Sequence, residues 1–440
     1  MEIIAKVSRA NASWLLYGFL LLFRILVDPF LIGYVHPDEF FQGGQELFFG
    51  CPPTIPWEFE PSNALRSIIP PVLTTWIPLQ IYSWCRYFFQ ARFGGDDIMV
   101  EMGTLSGIEV LVIPRIVCAL LSFLTIDCAV WSICNTGNRP NTGRTRRGVP
   151  IPVLLLASAW PTMVFLSRPF SNSVESYVLA LLMATVLTIG TDGKQVLSEQ
   201  TIDFFFCCKV GTICALGIFT RFTFVFFSLS ILLFLLRDMI TSFGVKKRTL
   251  WRKLGLMAVS FVFVALGIVW ADTLFYSSRQ NIEVMDSSDQ NDAPLAYLSD
   301  YLSFVLTPFN ALAYNSKTSN LKDHGLHPRW THAVVNMLIM YGPLALSAYY
   351  LMAAEFINYT RSRAAKKRRS LKSIEDDRHL MVSAAVVIFG LGFLSLAPHQ
   401  EPRFLLPLLL PLVLLGEKAI LTYPIAGPLI WVVFNTILFT

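Results

Sequence analysis

Charge is scarce in this chain. Only 15% of its 440 residues are Asp, Glu, Lys or Arg, where a soluble domain carries roughly a quarter. With 54% hydrophobic residues and a mean hydropathy of +0.55, a water-soluble globular protein is excluded. Apolar runs recur from end to end, close to the ~20 residues that cross a bilayer, so the expected class is an all-α polytopic membrane protein. A small-residue cleavage site is missing behind the first run, Trp14 to Gly33, whose flank reads YVHPDEFF. That excludes a removed signal peptide and leaves a retained first span. Paired cysteines are missing too. Seven of the eight (Cys85, Cys118, Cys128, Cys134, Cys207, Cys208, Cys214) lie in or beside apolar runs, and Cys51 alone looks aqueous. A disulfide framework or a zinc pattern is therefore not expected, only thiols buried among helices.

The basic residues that are present cluster. NRPNTGRTRRG (138–148), VKKRTLWRK (245–253) and RSRAAKKRRSLK (361–372) read as cytoplasmic loops, because short Lys/Arg-rich loops stay on that side. They mark topology, and nucleic acid is not expected as a partner. Residues 65–90 are apolar enough to span, but a span there would put 135–149 on the wrong side. Pro70, Pro71 and Pro78 interrupt helical hydrogen bonding in that stretch, so it is expected to be re-entrant or interfacial, as broken helices are when protein covers them. The remaining runs give eleven spans, near 14–33, 108–134, 150–167, 176–191, 204–220, 222–237, 254–276, 331–353, 379–397, 404–420 and 424–440, with a cytoplasmic N-terminus. Two large non-cytoplasmic loops follow, 34–107 and 277–330. The sequons at Asn11 and Asn358 fall on the cytoplasmic side and are expected to stay unmodified.

The remaining polar residues gather in six short segments: HPDEFFQ (36–42), IPWEFEPSNALRS (55–67), SRPFSNSVES (167–176), TRF (220–222), NLKDHGLHPRWTH (320–332) and PHQEPRF (398–404). The threading, set by other loops, puts all six on the non-cytoplasmic face, with five of the six His residues. Each segment also has a plainer reading. Pro37, Asp38 and Glu39 suit an ordinary helix start, and a helix continuing from there puts Asp38, Gln42 and Gln45 on one face, as in an amphipathic helix lying on the membrane. Arg168, Arg221 and Arg403 either snorkel at span ends or, with His399, grip a phosphate. Trp57 either anchors at the interface or stacks on a sugar beside Glu58. The three His of 320–332, with Asp323 and Arg329, match no standard ligand spacing, so no metal is expected. Asp127, Glu175 and Asp272 lie in or near spans and invite a functional reading, yet they do not form the midplane chain that a carrier needs.

In combination, HPDEFFQ after a first span, then PWEF, RSIIPP, SRPFSNSVES and HQEPRFLLPLLLPLVLL, resemble the membrane mannosyltransferases of glycosyltransferase family 22. The likeness runs from about Gly33 to the end, and is nearest to the branch that adds a fourth mannose to glycosylphosphatidylinositol (GPI) precursors. It implies a GT-C fold, the endoplasmic reticulum membrane, and dolichyl-phosphate-mannose as donor with no cofactor. The reaction implied is inverting α-1,2 transfer onto the third mannose, with the carboxylate of the first luminal loop as base, which falls on Asp38. On that reading Glu39 positions the acceptor; Arg403, His399, Arg168 and Arg221 face the donor phosphate; His36, Trp57, Glu58, His327 and Arg329 line the acceptor side. A lipid-borne donor needs no Gly-rich phosphate loop, and none is present. The rival expectations are another mannosyltransferase using the same donor, acting on the third GPI mannose or the N-glycan precursor, and a non-enzymatic lipid carrier. The chain ends at Thr440 directly after an apolar run, where the resemblance leads one to expect further residues.

Overall fold

The computed structural model describes residues 2–33, 35–49, 55–93, 105–136, 148–189, 201–245, 247–287, 304–322, 325–364, 378–422 and 425–439. Among them the ordered elements are helical, and strands are absent. The polytopic reading holds. Four stretches, Ala10–Phe30, Gly107–Thr136, Phe224–Phe243 and Arg248–Arg279, are long and apolar enough to cross a membrane, and six shorter apolar helices accompany them. Their outward faces are greasy: Leu15, Phe19 and Leu22 on the first, Val259, Phe263 and Trp270 on the last, are all more than half exposed. Such faces are stable only where lipid replaces water.

The helices pack around one that is buried on every side. This helix, Ser171–Leu187, hides nearly all of its side chains, as expected of an element hydrophobic all round. Beside it, helix Phe204–Thr220 lies against the 40-residue helix Arg248–Ser287. Gly211 makes that approach possible, because a Cβ there would stand 2.3 Å from Met257 O and 2.9 Å from Phe261 N. Ser260 adds a hydrogen bond from its hydroxyl to Cys208 O (2.8 Å). Small residues and hydroxyls at the contact are how helices associate in lipid, where burial of apolar area gives no drive.

Several expected spans are not single straight helices. Residues 150–167 form Ile151–Ser158 and Trp160–Val164, parted at Ala159 ahead of Pro161, whose missing N–H ends the ladder. Residues 331–353 break at Gly342 (φ +42), between Met337–Tyr341 and Pro343–Ala364. Residues 69–93 do the reverse. The prolines expected to interrupt them sit in one continuous helical stretch, Ile69–Pro71, a π turn Val72–Trp76, then Ile77–Phe93. Pro70 and Pro71 occupy the first turn, where no N–H is needed. Pro78 follows the π turn that accommodates its missing donor.

The three acids near spans are each partnered. Asp127 accepts from Arg24 Nη2 (2.8 Å) and Tyr17 Oη (2.9 Å), which ties the first span to the π turn Phe123–Asp127 within Gly107–Thr136. Glu175 accepts from Thr223 Oγ1 (2.6 Å). Asp272 accepts from Ser67 Oγ and Ile68 N (both 2.9 Å) and from Thr307 Oγ1 (3.1 Å). It thereby holds two loops to the long helix. Asp272→Ala strands three buried donors and is expected to lower stability by roughly 3 kcal/mol, read as a fall in the thermal midpoint in detergent. A midpoint equal to wild type would show that the loops hold without it.

Candidate active site

The loop that leaves the first span is fixed by one residue. Glu39, wholly buried, sits between Arg115 Nε (2.5 Å) and Arg168 Nη1 (2.8 Å). The same two arginines donate to the loop's carbonyls, Arg115 Nη1 to Leu31 O (2.7 Å) and Arg168 Nη1 to Gly33 O (3.0 Å). Glu39 belongs to the short helix Asp38–Phe41, in which neighbouring side chains diverge by about 100°. Driving Glu39 into the protein therefore turns Asp38 outward. The extended amphipathic helix expected here does not form: Gly43 and Gly44 (φ +87) separate Asp38–Phe41 from Gln45–Phe49, and a Cβ on Gly43 would stand 2.2 Å from Glu39 O.

Asp38 faces a cavity of about 770 Å³. Five of the six polar segments line it, through His36, Asp38, Gln42, Trp57, Glu58, Arg66, Thr220, Arg221, Leu321, Arg329, His399, Glu401 and Arg403. The sixth reaches it indirectly, because Ser171 donates to Gln42 Oε1 (2.6 Å). The convergence expected from topology is therefore a physical cavity. Apolar residues line it as well: Ile218, Phe219, Phe222, Phe226, Phe393, Leu394 and Leu396. The lining can meet both polar and hydrocarbon parts of a ligand.

Asp38 Oδ2 lies 2.5 Å from both Gln42 Nε2 and Arg403 Nη1, and Oδ1 faces His36 Nδ1 across 3.5 Å. Burial works to raise the Asp38 carboxyl, but the His36 imidazole and the Arg403 guanidinium prevail and hold it well below the usual carboxylate range. Arg403 Nε donates to Glu401, and Nη1 pairs with Asp38 Oδ2. One guanidinium thus bridges both acids at the cavity wall. Glu401, despite its burial, is held down to about 2 by His399 and Arg403.

The structure separates the other predicted residues. Trp57 stands at the rim, its ring 5.3 Å from that of Tyr314, and Glu58 takes Arg66 through Nε (3.1 Å) and Nη2 (2.8 Å). Arg329 is an exposed guanidinium on the same wall. Four expectations need correction. Glu39 and Arg168 bond to each other behind the loop, where neither lines the cavity, so neither is placed to touch a substrate. Arg221 lines the cavity, but its Nη1 donates to Ser171 Oγ (2.7 Å) and its Nε lies 3.3 Å from Glu175. Its Nη1 and Nε already have partners of their own. His327 is exposed and does not line the cavity: its N–H donates to Pro398 O (2.8 Å) and its Nδ1 accepts from Gln400 N (3.3 Å).

His399 lines the wall with both ring nitrogens already facing acceptors, Gly325 O and Glu401 Oε1, each at 3.0 Å. Burial opposes its charge, but the Glu401 carboxylate and the Gly325 carbonyl outweigh that and raise its pKa. It turns no spare N–H to the cavity. Among the described residues, no group of three His, Cys, Asp or Glu is placed to hold a metal ion; Asp323 and His324 lie outside those residues. Sequence reading missed Gln42, Arg66, Ser171 and Glu401, although all four lie inside the six polar segments. It also missed Arg24 and Arg115, charged residues within apolar runs whose very presence there was the available signal.

A family model described as the Alg9-like mannosyltransferase family matches residues 15–439. The chain is 32% identical over 410 residues to GPI mannosyltransferase 4 of Emericella nidulans, covering 92% of this chain and 62% of that protein. It is 29% identical over 429 residues to GPI mannosyltransferase 4 of Drosophila melanogaster (89% and 56%). With GPI alpha-1,2-mannosyltransferase 4 of Homo sapiens it shares 31% identity over 436 residues (96% and 67%). The chain thus spans between 56% and 67% of the length of these relatives. No solved structure matches.

Proposed function

The chain belongs to the Alg9-like mannosyltransferase family, and from that premise we propose that it transfers mannose from dolichyl-phosphate-mannose to the third mannose of a GPI precursor, in α-1,2 linkage, at the luminal face of the endoplasmic reticulum membrane. The relatives' names support the GPI acceptor. The observation that carries the reading is the pairing of an ionised Asp38 with Arg403 in a cavity that Phe219, Phe222, Phe226 and Phe393 also line.

A β-linked mannosyl phosphate that yields an α-mannoside inverts, so one in-line displacement suffices. The acceptor hydroxyl oxygen forms a bond to the anomeric carbon as the bond from that carbon to the phosphate oxygen breaks. The electron pair departs on the phosphate, and the hydroxyl proton passes to Asp38. Phosphate is a good leaving group and needs no strong acid; it needs nearby positive charge. Arg403 supplies that charge, with the His399 imidazole behind it. Glu58, beside Gln42, and Trp57 meet the acceptor glycan.

The direct test supplies the purified protein with dolichyl-phosphate-mannose and a trimannosyl GPI acceptor. The expected product is longer by one mannose, and an α-1,2-specific mannosidase removes that sugar. Transfer onto a dimannosyl GPI or an N-glycan precursor instead would replace the proposed acceptor and keep the donor. The pH dependence is a second expectation. A carboxylate held below its ordinary pKa is charged, and competent as a base, at every pH above that lowered value. Activity should therefore stay level from pH 7 down to about 5 and fall only below the usual titration near 4. An acid limb centred above pH 5 would contradict Asp38 as the free enzyme's base.

A further inference from the structure

We propose that Gln42 is a positioning residue for the base, locked by a one-way chain of hydrogen bonds that runs from Arg221 and Arg66 through Ser171 to Gln42 and ends on Asp38 Oδ2. This inference rests on the function proposed above. The direction of every link is forced by which atoms can donate. Arg221 Nη1 (2.7 Å) and Arg66 Nη1 (3.3 Å) both meet Ser171 Oγ, and a guanidinium only donates. Ser171 must therefore accept from both, and its single proton goes to Gln42 Oε1 (2.6 Å). With its oxygen so engaged, the Gln42 amide turns its NH₂ to Asp38 Oδ2 (2.5 Å) and to Glu58 Oε1 (3.4 Å). The amide orientation is thus fixed by two arginines that do not touch Asp38 at all.

The consequence is a division of labour within one carboxylate. Oδ2 is held by Gln42 and Arg403, so Oδ1 is the oxygen turned toward the acceptor proton, with His36 Nδ1 3.5 Å away. The chain also explains why Arg221, buried and paired with Glu175, lies beside the cavity although its donors are committed. Two carboxylates, Glu58 and Glu175, balance the two arginines. The charged and titratable groups facing Asp38 are then His36 on its own segment, Arg403 with Glu401 behind it, and Glu58 with Arg66 across Gln42.

The test compares Gln42→Leu, Ser171→Ala, Ser171→Thr and Asp38→Asn with wild type, scoring the donor KM, kcat and the pH profile of kcat/KM. Removing a donor from a carboxylate raises its pKa, so Gln42→Leu should move the acid limb up by about one pH unit. A loosely held base should lower kcat by on the order of 10- to 100-fold while the donor KM stays near wild type. Ser171→Ala should do the same more weakly, and Ser171→Thr, which keeps the hydroxyl, should restore the wild-type profile. A Gln42→Leu enzyme with the wild-type acid limb, while Asp38→Asn is inactive, would overturn the relay and leave the base reading intact. An active Asp38→Asn would sink the base reading itself. A double-mutant cycle on thermal stability, pairing Gln42→Leu with Asp38→Asn, reads the contact even without turnover. Coupling between the two is expected, and strict additivity would overturn the contact.

Discussion

Asp38→Asn is expected to fold, bind donor with near wild-type affinity, and lose turnover by on the order of 10³-fold. The size follows from the range for a positioned general base, about 10² to 10⁴, since the remaining charge at Arg403 still favours phosphate departure. The substitution keeps the shape of the side chain and removes its charge and its ability to take a proton. Arg403 retains Glu401 as a partner, so the site does not collapse. The measurement is single-turnover transfer in membranes or detergent, alongside the thermal midpoint of each protein. Retention of most activity would mean that Asp38 merely shapes the loop. Loss of activity together with a large fall in midpoint would mean the same.

The neighbouring acid should behave oppositely. Glu39→Ala removes the carboxylate that pairs with both Arg115 and Arg168, each almost completely buried. Breaking a buried ion pair from one side lowers stability by about 3–5 kcal/mol, because the orphaned charge stays buried. Here two arginines lose that contact at once, and keep the carbonyls of Leu31 and Gly33. The expected result is a protein that accumulates poorly and unfolds many degrees below wild type, with activity lost in proportion to folded material. A well-folded but inactive Glu39→Ala would return Glu39 to the chemistry and refute its structural role.

This contrast marks what sequence can and cannot carry. The membrane class and the gathering of six polar segments were legible, because hydropathy and the Lys/Arg rule act over whole segments and need no side-chain detail. Which of two adjacent carboxylates faces the cavity was not. A helical turn separates Asp38 and Glu39 by about 100°, and the choice is made by Arg115 and Arg168, 76 and 129 positions away. His399 and Arg221 do line the cavity; their hydrogen bonds, to Gly325, Glu401 and Ser171, depend on distances no spacing reveals. The prolines of 69–93 misled for a related reason. A proline breaks a helix only where a donor is required, and a first turn or a π turn removes the requirement.

The 40-residue helix Arg248–Ser287 works as a ruler. From Arg248, at its basic end, to Asp272 is 24 positions, or about 36 Å of helix. The hydrocarbon layer is about 30 Å thick. With the basic end held on one side of the bilayer, Asp272 falls at the headgroup level of the other. Because Asp272 grips residues 67–68 and Thr307, it sets how high above the lipid these two walls of the cavity stand. The depth at which the cavity meets the bilayer surface is then measured out by helix length.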